Sequence, residues 1–385
     1  MAIPNDLSVF NSTSSPYLTT GISNVSFAPC TDWTPISMTT VIPTVYSIIC
    51  VLGTTANILA VSVLAQANTS RRTVANTFML NLCVSDLLFL LSLPLWAVYY
   101  SRGYSWPFGR VACKICGLLL HFNLYASIFF ITSMSIDRYL AIVHPFRSQS
   151  ARNPKRARLT CVLVWALAFV CSAPTLALRD TRYIMNFSVE ACVILYPTHT
   201  WYMSLVLMKI ILAFLLPLII ISCCYYAIGR HLVAGTCSDR PMQGRGVERV
   251  LWTVAAVVLA FFFCWFPFHC VTFMDVLTSE GWLDGCWVTW TIHNLTPLTL
   301  CLGFSNSAIN PMLYCFIGNH FRGRLSGFCK GLCACLKSRG DDHNQKRSSF
   351  STRLSSFSRK LSDLKDLPLT MAAEHSRPLR SRIAK

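Results

Sequence analysis

The stretch "MSIDRYLAIVHP", Met134–Pro145, ends a long apolar run with an acid and an arginine side by side, Asp137 and Arg138. The residues leading into it, Leu118–Ser135, include no lysine, arginine, aspartate or glutamate. A helix needs about 20 mostly apolar residues to cross the hydrocarbon of a bilayer, because each residue rises only about 1.5 Å. The run Cys113–Val143 meets that length and reads as a membrane-spanning helix. The charged pair then marks the end where the helix leaves the lipid. An arginine there can simply reach for the interface with its long stem. Whether the pair does more depends on the rest of the chain.

The rest of the chain repeats the pattern. Of 385 residues, 54% are hydrophobic and 13% charged. A soluble domain carries about a quarter charged residues. The mean hydropathy is +0.49. Seven stretches are long and apolar enough to span: Val41–Gln66, Val74–Tyr100, Cys113–Val143, Leu159–Leu178, Trp201–Gly229, Val250–Leu277 and Cys286–Ile317. Pro94, Pro174, Pro217, Pro267 and Pro311 lie in or near the ends of these spans. In a bundle, neighbouring helices and side chains satisfy the carbonyls that proline frees. The expected fold is an all-α membrane protein: a seven-transmembrane helix bundle with a short amphipathic eighth helix. Residues 1–40 form an outer segment and 41–317 the bundle. Residues 318–336 begin with "GNHFRGRLSGF", whose Phe321, Leu325 and Phe328 suit a helix lying on the membrane. Residues 337–385 form a disordered Ser/Arg-rich tail.

The net charge of +17 is uneven. Of the 33 Lys and Arg, 26 fall on one side: two in the first loop, five in the third, four in the fifth and 15 after Ile317. The other side has Arg102, Arg110, Arg179 and Arg182. By the positive-inside rule the N-terminus is outside and the tail in the cytosol. The basic excess is thus a topology signal, and nucleic acid is not an expected partner. Sequons at Asn11, Asn24 and Asn186 fall on the outer side and suit glycosylation. "MAIPNDLSVF" lacks the basic and apolar regions of a cleavable signal, so the first span is expected to insert by itself.

The 19 cysteines sort by compartment. Cys30, Cys113, Cys192 and Cys286 lie at or beyond the outer edge, and four cysteines allow three pairings. Joining Cys113 to Cys192 would staple the long second outer loop over the bundle. Cys30 and Cys286 would then tie the N-terminal segment to the last span; free thiols are the alternative. Cys329, Cys333 and Cys335 follow the last span and are candidates for palmitoylation, against plain thiols.

Each span carries its own polar or aromatic signature. They are Asn57 in "GTTANILAV", Asp86 in "NLCVSDLLFLL", Trp165, "FCWFPFH" (Phe263–His269) and "NSAINPMLY" (Asn306–Tyr314). Together with Asp137-Arg138-Tyr139 and the loop lengths, they resemble the rhodopsin-like (class A) G protein-coupled receptors over about Val41 to Lys330. The stretches "LPLWAVYYS", "VLMKIILAFLLPL", "VAAVVLAFFFCWFPFH" and "LGFSNSAINPMLYCF" narrow the resemblance to the angiotensin II receptor group. "TLALRDTRY" leans toward type 2, while "WPFG" is also similar to type 1.

The resemblance implies a plasma-membrane receptor for a peptide hormone like angiotensin II, signalling to heterotrimeric G protein and arrestin, and not an enzyme. A receptor of this fold that couples poorly to G protein is the alternative. A seven-span transporter or membrane enzyme is the remote one. Against it, the spans show no inverted repeat and no metal-ligand spacing. The resemblance implies no required cofactor and leaves room for an allosteric sodium ion.

A charged side chain in hydrocarbon costs at least about 2.5–3.5 kcal/mol, so Asp86 must face the interior. The family resemblance gathers Asn123, Ser127, Asn306 and Asn310 around it as a sodium site; a hydrated polar network is the alternative. Lys209 lies eight residues past Trp201, about 12 Å down the helix. A wet cavity open to the outside would make its ammonium tolerable and draw an anion, against simple snorkelling. The resemblance gives it a peptide's terminal carboxylate, gives Arg179 a second anion contact, and pairs Asp275 with the hormone's arginine. A solvated helix-end acid is the other reading of Asp275. Where the family carries a second acid near the start of the last span, this chain has His293. Trp96, Tyr99 and Tyr100 would line the pocket, unless they are interface aromatics. Trp265, Phe266 and Phe304 would form its floor, a role compatible with core packing. For activation the resemblance assigns Ile128, Pro217 and Phe261 as a packing triad. It adds Tyr225, Pro311 and Tyr314 to the movements that free Arg138 from Asp137. The serine-rich tail suits phosphorylation and arrestin recruitment.

Overall fold

A computed structural model describes residues 38–65, 73–145, 153–185, 188–236, 245–317, 323 and 325–327. Contacts divide the chain into two units, Met1–Arg324 and Leu325–Lys385. The first unit holds the bundle. In the second, Leu325–Gly327 are helical, and the rest of the expected surface helix and tail lies outside the described residues.

The first helix is Met38–Ala65. The second, Val74–Leu90, continues as Leu93–Ser101. The third is Gly109–Val143, the fourth Pro154–Leu178. The fifth runs from His199 to Thr236 and contains a π-turn at Ile211–Leu215. The sixth is Arg245–Ser279 and the seventh Cys286–Ile317. Among the described residues, six of these are long and apolar enough to cross a membrane; the seventh packs against the sixth and the first.

The helix starts follow from side-chain chemistry. Thr73 accepts from the Asn76 N–H at 3.2 Å, and Asn153 accepts from the Lys155 N–H just before Pro154. Proline defects are repaired by neighbours. Pro94 cannot donate to the Leu90 carbonyl, and Cys50 Sγ lies 3.7 Å from that oxygen. Pro311 likewise frees the Ser307 carbonyl, and Asn57 of the first helix donates to it at 2.8 Å. Asn81 joins the second helix to the fourth by accepting from Trp165 Nε1 at 2.8 Å.

The all-α expectation needs one addition. The loop between the fourth and fifth helices is a β-hairpin, β1 (Arg179–Ile184) and β2 (Val189–Ile194), paired antiparallel with Thr181 opposite Cys192. Cys192 is bonded to Cys113 of the third helix. Trp106 N–H donates to the Glu190 carbonyl at 2.7 Å, and Arg110 meets Asp180 at 2.8 Å. The hairpin is thereby tied to the third helix and to the loop before it.

Candidate functional site: a cationic cleft in the bundle

Lys209 sits at the bottom of the outer segment of the fifth helix, directly above the π-turn. Such bulges recur at functional sites because they re-aim the residues beside them. Its Nζ lies 5.3 Å from the Phe268 ring centroid, within cation–π range. Among the described residues, no hydrogen bond or ion pair reaches that ammonium. Lys209 lines a small cleft between the third, fourth and fifth helices, with His121, Tyr125, Thr175, Tyr196 and Met208. His121 Nδ1 lies 3.0 Å from the Gly117 carbonyl. A carbonyl only accepts, so in the neutral ring Nε2 is left as an acceptor.

Arg179 is the first residue of β1, and its side chain turns inward across the third helix. Its Cζ lies 5.0 Å from the Trp96 ring and its Nη1 3.6 Å from Cys192 Sγ; its Nε is buried without a partner. Burial draws its pKa below the usual guanidinium value, yet an arginine keeps its charge. Asp275, on the sixth helix, is half-buried and accepts from Tyr202 Oη at 2.5 Å. Lys209 feels both Asp275 and Arg179, so two cations face one acid that already has a donor.

The second-helix aromatics turn inward. Trp96, Tyr99 and Tyr100 are each about 5–6% exposed, packed on Trp106, Tyr104 and Tyr46. They are part of the bundle interior, not a lipid-interface belt. Trp265 packs edge-on against Phe268 and faces Phe304 at 6.3 Å. Gly303 makes room for it: a Cβ there would lie 2.9 Å from the indole. Phe266 is not part of this floor; it is 54% exposed on the outer face. Trp265 and Phe268 are three residues apart and share a helix face, whereas Phe266 is about 100° round. His293 is half-buried on the seventh helix.

Deeper in the bundle, Asp86 is fully buried. Asn123 Nδ2 donates to it at 3.0 Å and Asn310 Nδ2 at 3.2 Å. Ser127 and Ser85 also approach Asn123. Ser307 Oγ donates to Asn123 Oδ1 at 3.4 Å. The Oδ1 atoms of Asn306 and Asn310 are buried without a donor. A carboxylate, hydroxyls and orphaned carbonyl oxygens form a donor set suited to a hard cation.

Near the last turns of the third helix, Asp137 and Arg138 are about 5% and 6% exposed and joined side chain to side chain. Tyr139 Oη lies 3.1 Å from His144 Nε2. The Tyr225 hydroxyl is buried near Ser135 of the third helix, with no well-formed hydrogen bond among the described residues. Ile128 and Phe261 are fully buried, and Pro217 is buried on the fifth helix. Pro311 is buried in the seventh helix; the Tyr314 side chain lies outside the described residues. So do Cys30, the sequons at Asn11, Asn24 and Asn186, and Cys329, Cys333 and Cys335. Cys286 is disulfide-bonded.

Three site residues escaped the sequence reading. His121 lies eight residues past Cys113, about 12 Å deep, a depth that matches Lys209 and was the available signal. Tyr202 and Phe268 carried none, being an aromatic among aromatics.

The seven-helix bundle thus encloses a buried acid and, at one end, a cationic cleft. A family model described as 7 transmembrane receptor (rhodopsin family) matches residues 56–314. The chain belongs to that family; its members are receptors, not enzymes, and cross the membrane several times. The chain is 41% identical to the type-2 angiotensin II receptors of Rattus norvegicus and Homo sapiens, over 82% of its length and 87% of theirs. It is also 41% identical to the type-1 angiotensin II receptor of Bos taurus, over 73% of its length and 78% of that receptor.

Proposed function

We propose that this protein is a cell-surface receptor for angiotensin II or a closely similar peptide, coupled to heterotrimeric G protein and regulated by arrestin. The observation that carries the reading is Lys209, an ammonium in the wall of a cleft with no hydrogen-bonded or ion-paired partner among the described residues. A peptide's C-terminal carboxylate supplies the missing charge, and Arg179 grips a second acceptor. Asp275, held by Tyr202, faces the peptide's basic part. The N-terminal segment is outside and glycosylated at Asn11, Asn24 and Asn186. The tail is cytosolic, with Cys329, Cys333 and Cys335 as its lipid anchors. Cys30 pairs with Cys286.

Activation is a population shift: the peptide must bind the active bundle more tightly than the resting one. Pressure on Trp265 repacks Ile128, Pro217 and Phe261. Arg138 then leaves Asp137, while Tyr225 and Tyr314 move in and a cleft opens for the G protein. Binding of labelled angiotensin II to cells expressing the chain, followed by a calcium or cyclic-nucleotide response, tests the reading. Absence of saturable binding would overturn it.

Two further outcomes are expected. The residues around Asp86 would hold sodium in the resting state through Asp86, Ser127, Asn123, Asn306 and Asn310. Replacing sodium chloride with choline chloride should then raise agonist affinity several-fold, and Asp86→Asn should abolish that sensitivity. An equal salt response in both proteins would exclude the ion. His293→Asp should strengthen binding of peptides with a basic N-terminal part, measured by competition; no gain removes His293 from contact with the ligand.

A further inference from the structure

Past its first residue, the third helix carries one glycine, Gly117. Glycine weakens a helix interior relative to alanine, so it calls for a reason. The backbone offers none, because Gly117 has no positive φ. The reason lies above it. A Cβ on Gly117 would lie 2.2 Å from Arg179 Cδ, 2.5 Å from Nε and 3.4 Å from Cζ. The Arg179 stem rests on the bare face of the helix, and this brings its guanidinium to the Trp96 ring. The backbone of residue 179 cannot shift to make room. It is paired with Ile194, Leu195 N–H donates to the Leu178 carbonyl at 2.8 Å, and the adjoining strand is bonded to the third helix through Cys192. Only the side chain can give way.

We propose that Gly117 is a positioning residue for ligand binding: its missing side chain is the notch in which the Arg179 stem lies across the third helix, presenting the guanidinium beside Trp96 to the ligand. The proposal rests on the reading of Arg179 as a ligand contact. Arginine is flexible, so an added methyl group expels the guanidinium without breaking the helix. Alanine at 117 therefore acts in two directions at once. It favours the helix and disfavours the ligand. The Gly117 carbonyl also holds His121, and an alanine leaves that contact in place.

The test is a cycle of full-length receptors: wild type, Gly117→Ala, Arg179→Ala and the double variant. Labelled angiotensin II is titrated at the cell surface, and melting temperature is measured on purified receptor without ligand. Gly117→Ala should weaken the peptide about tenfold or more, as loss of an anchoring arginine does. The double variant should bind no more weakly than Arg179→Ala alone, since both changes remove one interaction. Alanine at 117 should raise the melting temperature more in the Arg179→Ala background, where no guanidinium has to be displaced. Wild-type affinity in Gly117→Ala, or additive losses, would overturn the notch. If the wild type fails to bind the peptide, the hormone reading falls and the melting cycle decides alone; equal shifts in both backgrounds then reject the proposal.

Discussion

Lys209→Ala is expected to lower the affinity for angiotensin II by about two to three orders of magnitude. The argument begins with the cost of the residue as it stands. An ammonium about 15 Å along the helix from its start at His199, among Leu207, Met208, Ile210 and Ile211, is tolerable only with water or a counter-charge. The groups around it supply neither in full. Phe268 offers a ring face at 5.3 Å. His121 and His269 face it without negative charge, and both nitrogens of His269 are buried without partners. Asp275 is within electrostatic reach, but Tyr202 already donates to it at 2.5 Å. Arg179 adds a second positive charge. A ligand carboxylate completes this arrangement, and removing one partner of a buried charge pair costs about 3–5 kcal/mol. The control is the same peptide with a C-terminal amide. It should bind the wild type weakly and should bind Lys209→Ala about as well as the free acid does. Equal affinity of wild type and variant for the free acid would remove Lys209 from the site.

The residues that proved legible in the sequence are those whose chemistry conflicts with lipid. Lys209, Asp86, Asn57 and the Asp137–Arg138 pair stand out because a charge or amide in an apolar run has to be explained. The structure turns each of them inward. What the sequence did not convey is which way the apolar residues face. In water a helix shows its buried side by polarity, whereas in a bilayer core and solvent are both apolar. Phe266 and Phe268 are therefore indistinguishable in "FCWFPFH", yet one is 54% exposed and the other 9%. The hairpin Arg179–Ile194 was hidden for another reason. Its strands are only six residues each and the first, RDTRYI, is mostly polar, while the ties that hold the hairpin in place, the Cys192 bond to the third helix and the Glu190 carbonyl accepting from Trp106, join residues far apart in sequence. Gly117 was illegible because its role belongs to a side chain 62 residues further on.

Asp137→Asn is expected to raise signalling in the absence of ligand. In the structure Asp137 and Arg138 are almost fully buried and paired with each other. The Arg138 Nε has no further partner among the described residues, so much of what holds the guanidinium is this one carboxylate. The Tyr225 hydroxyl is buried on the neighbouring fifth helix, within electrostatic range of Arg138 and with no well-formed hydrogen bond among the described residues, an acceptor once the guanidinium swings away. An amide keeps the shape of Asp137 and removes its charge, so the substitution penalises the resting state and leaves the active one nearly unaffected. A buried pair broken on one side loses about 3–5 kcal/mol. The active state, where the pair is already open, escapes most of that loss, so the loss falls on the resting state. A net bias of about 1.4 kcal/mol already multiplies the active-to-resting ratio tenfold. Basal calcium or cyclic-nucleotide output, divided by surface receptor number, measures the change. Arg138→Ala should instead abolish the response to peptide while leaving its binding measurable, since it removes the group that the G protein cleft is built around. Basal output in Asp137→Asn equal to wild type would mean that the resting bundle is held shut elsewhere.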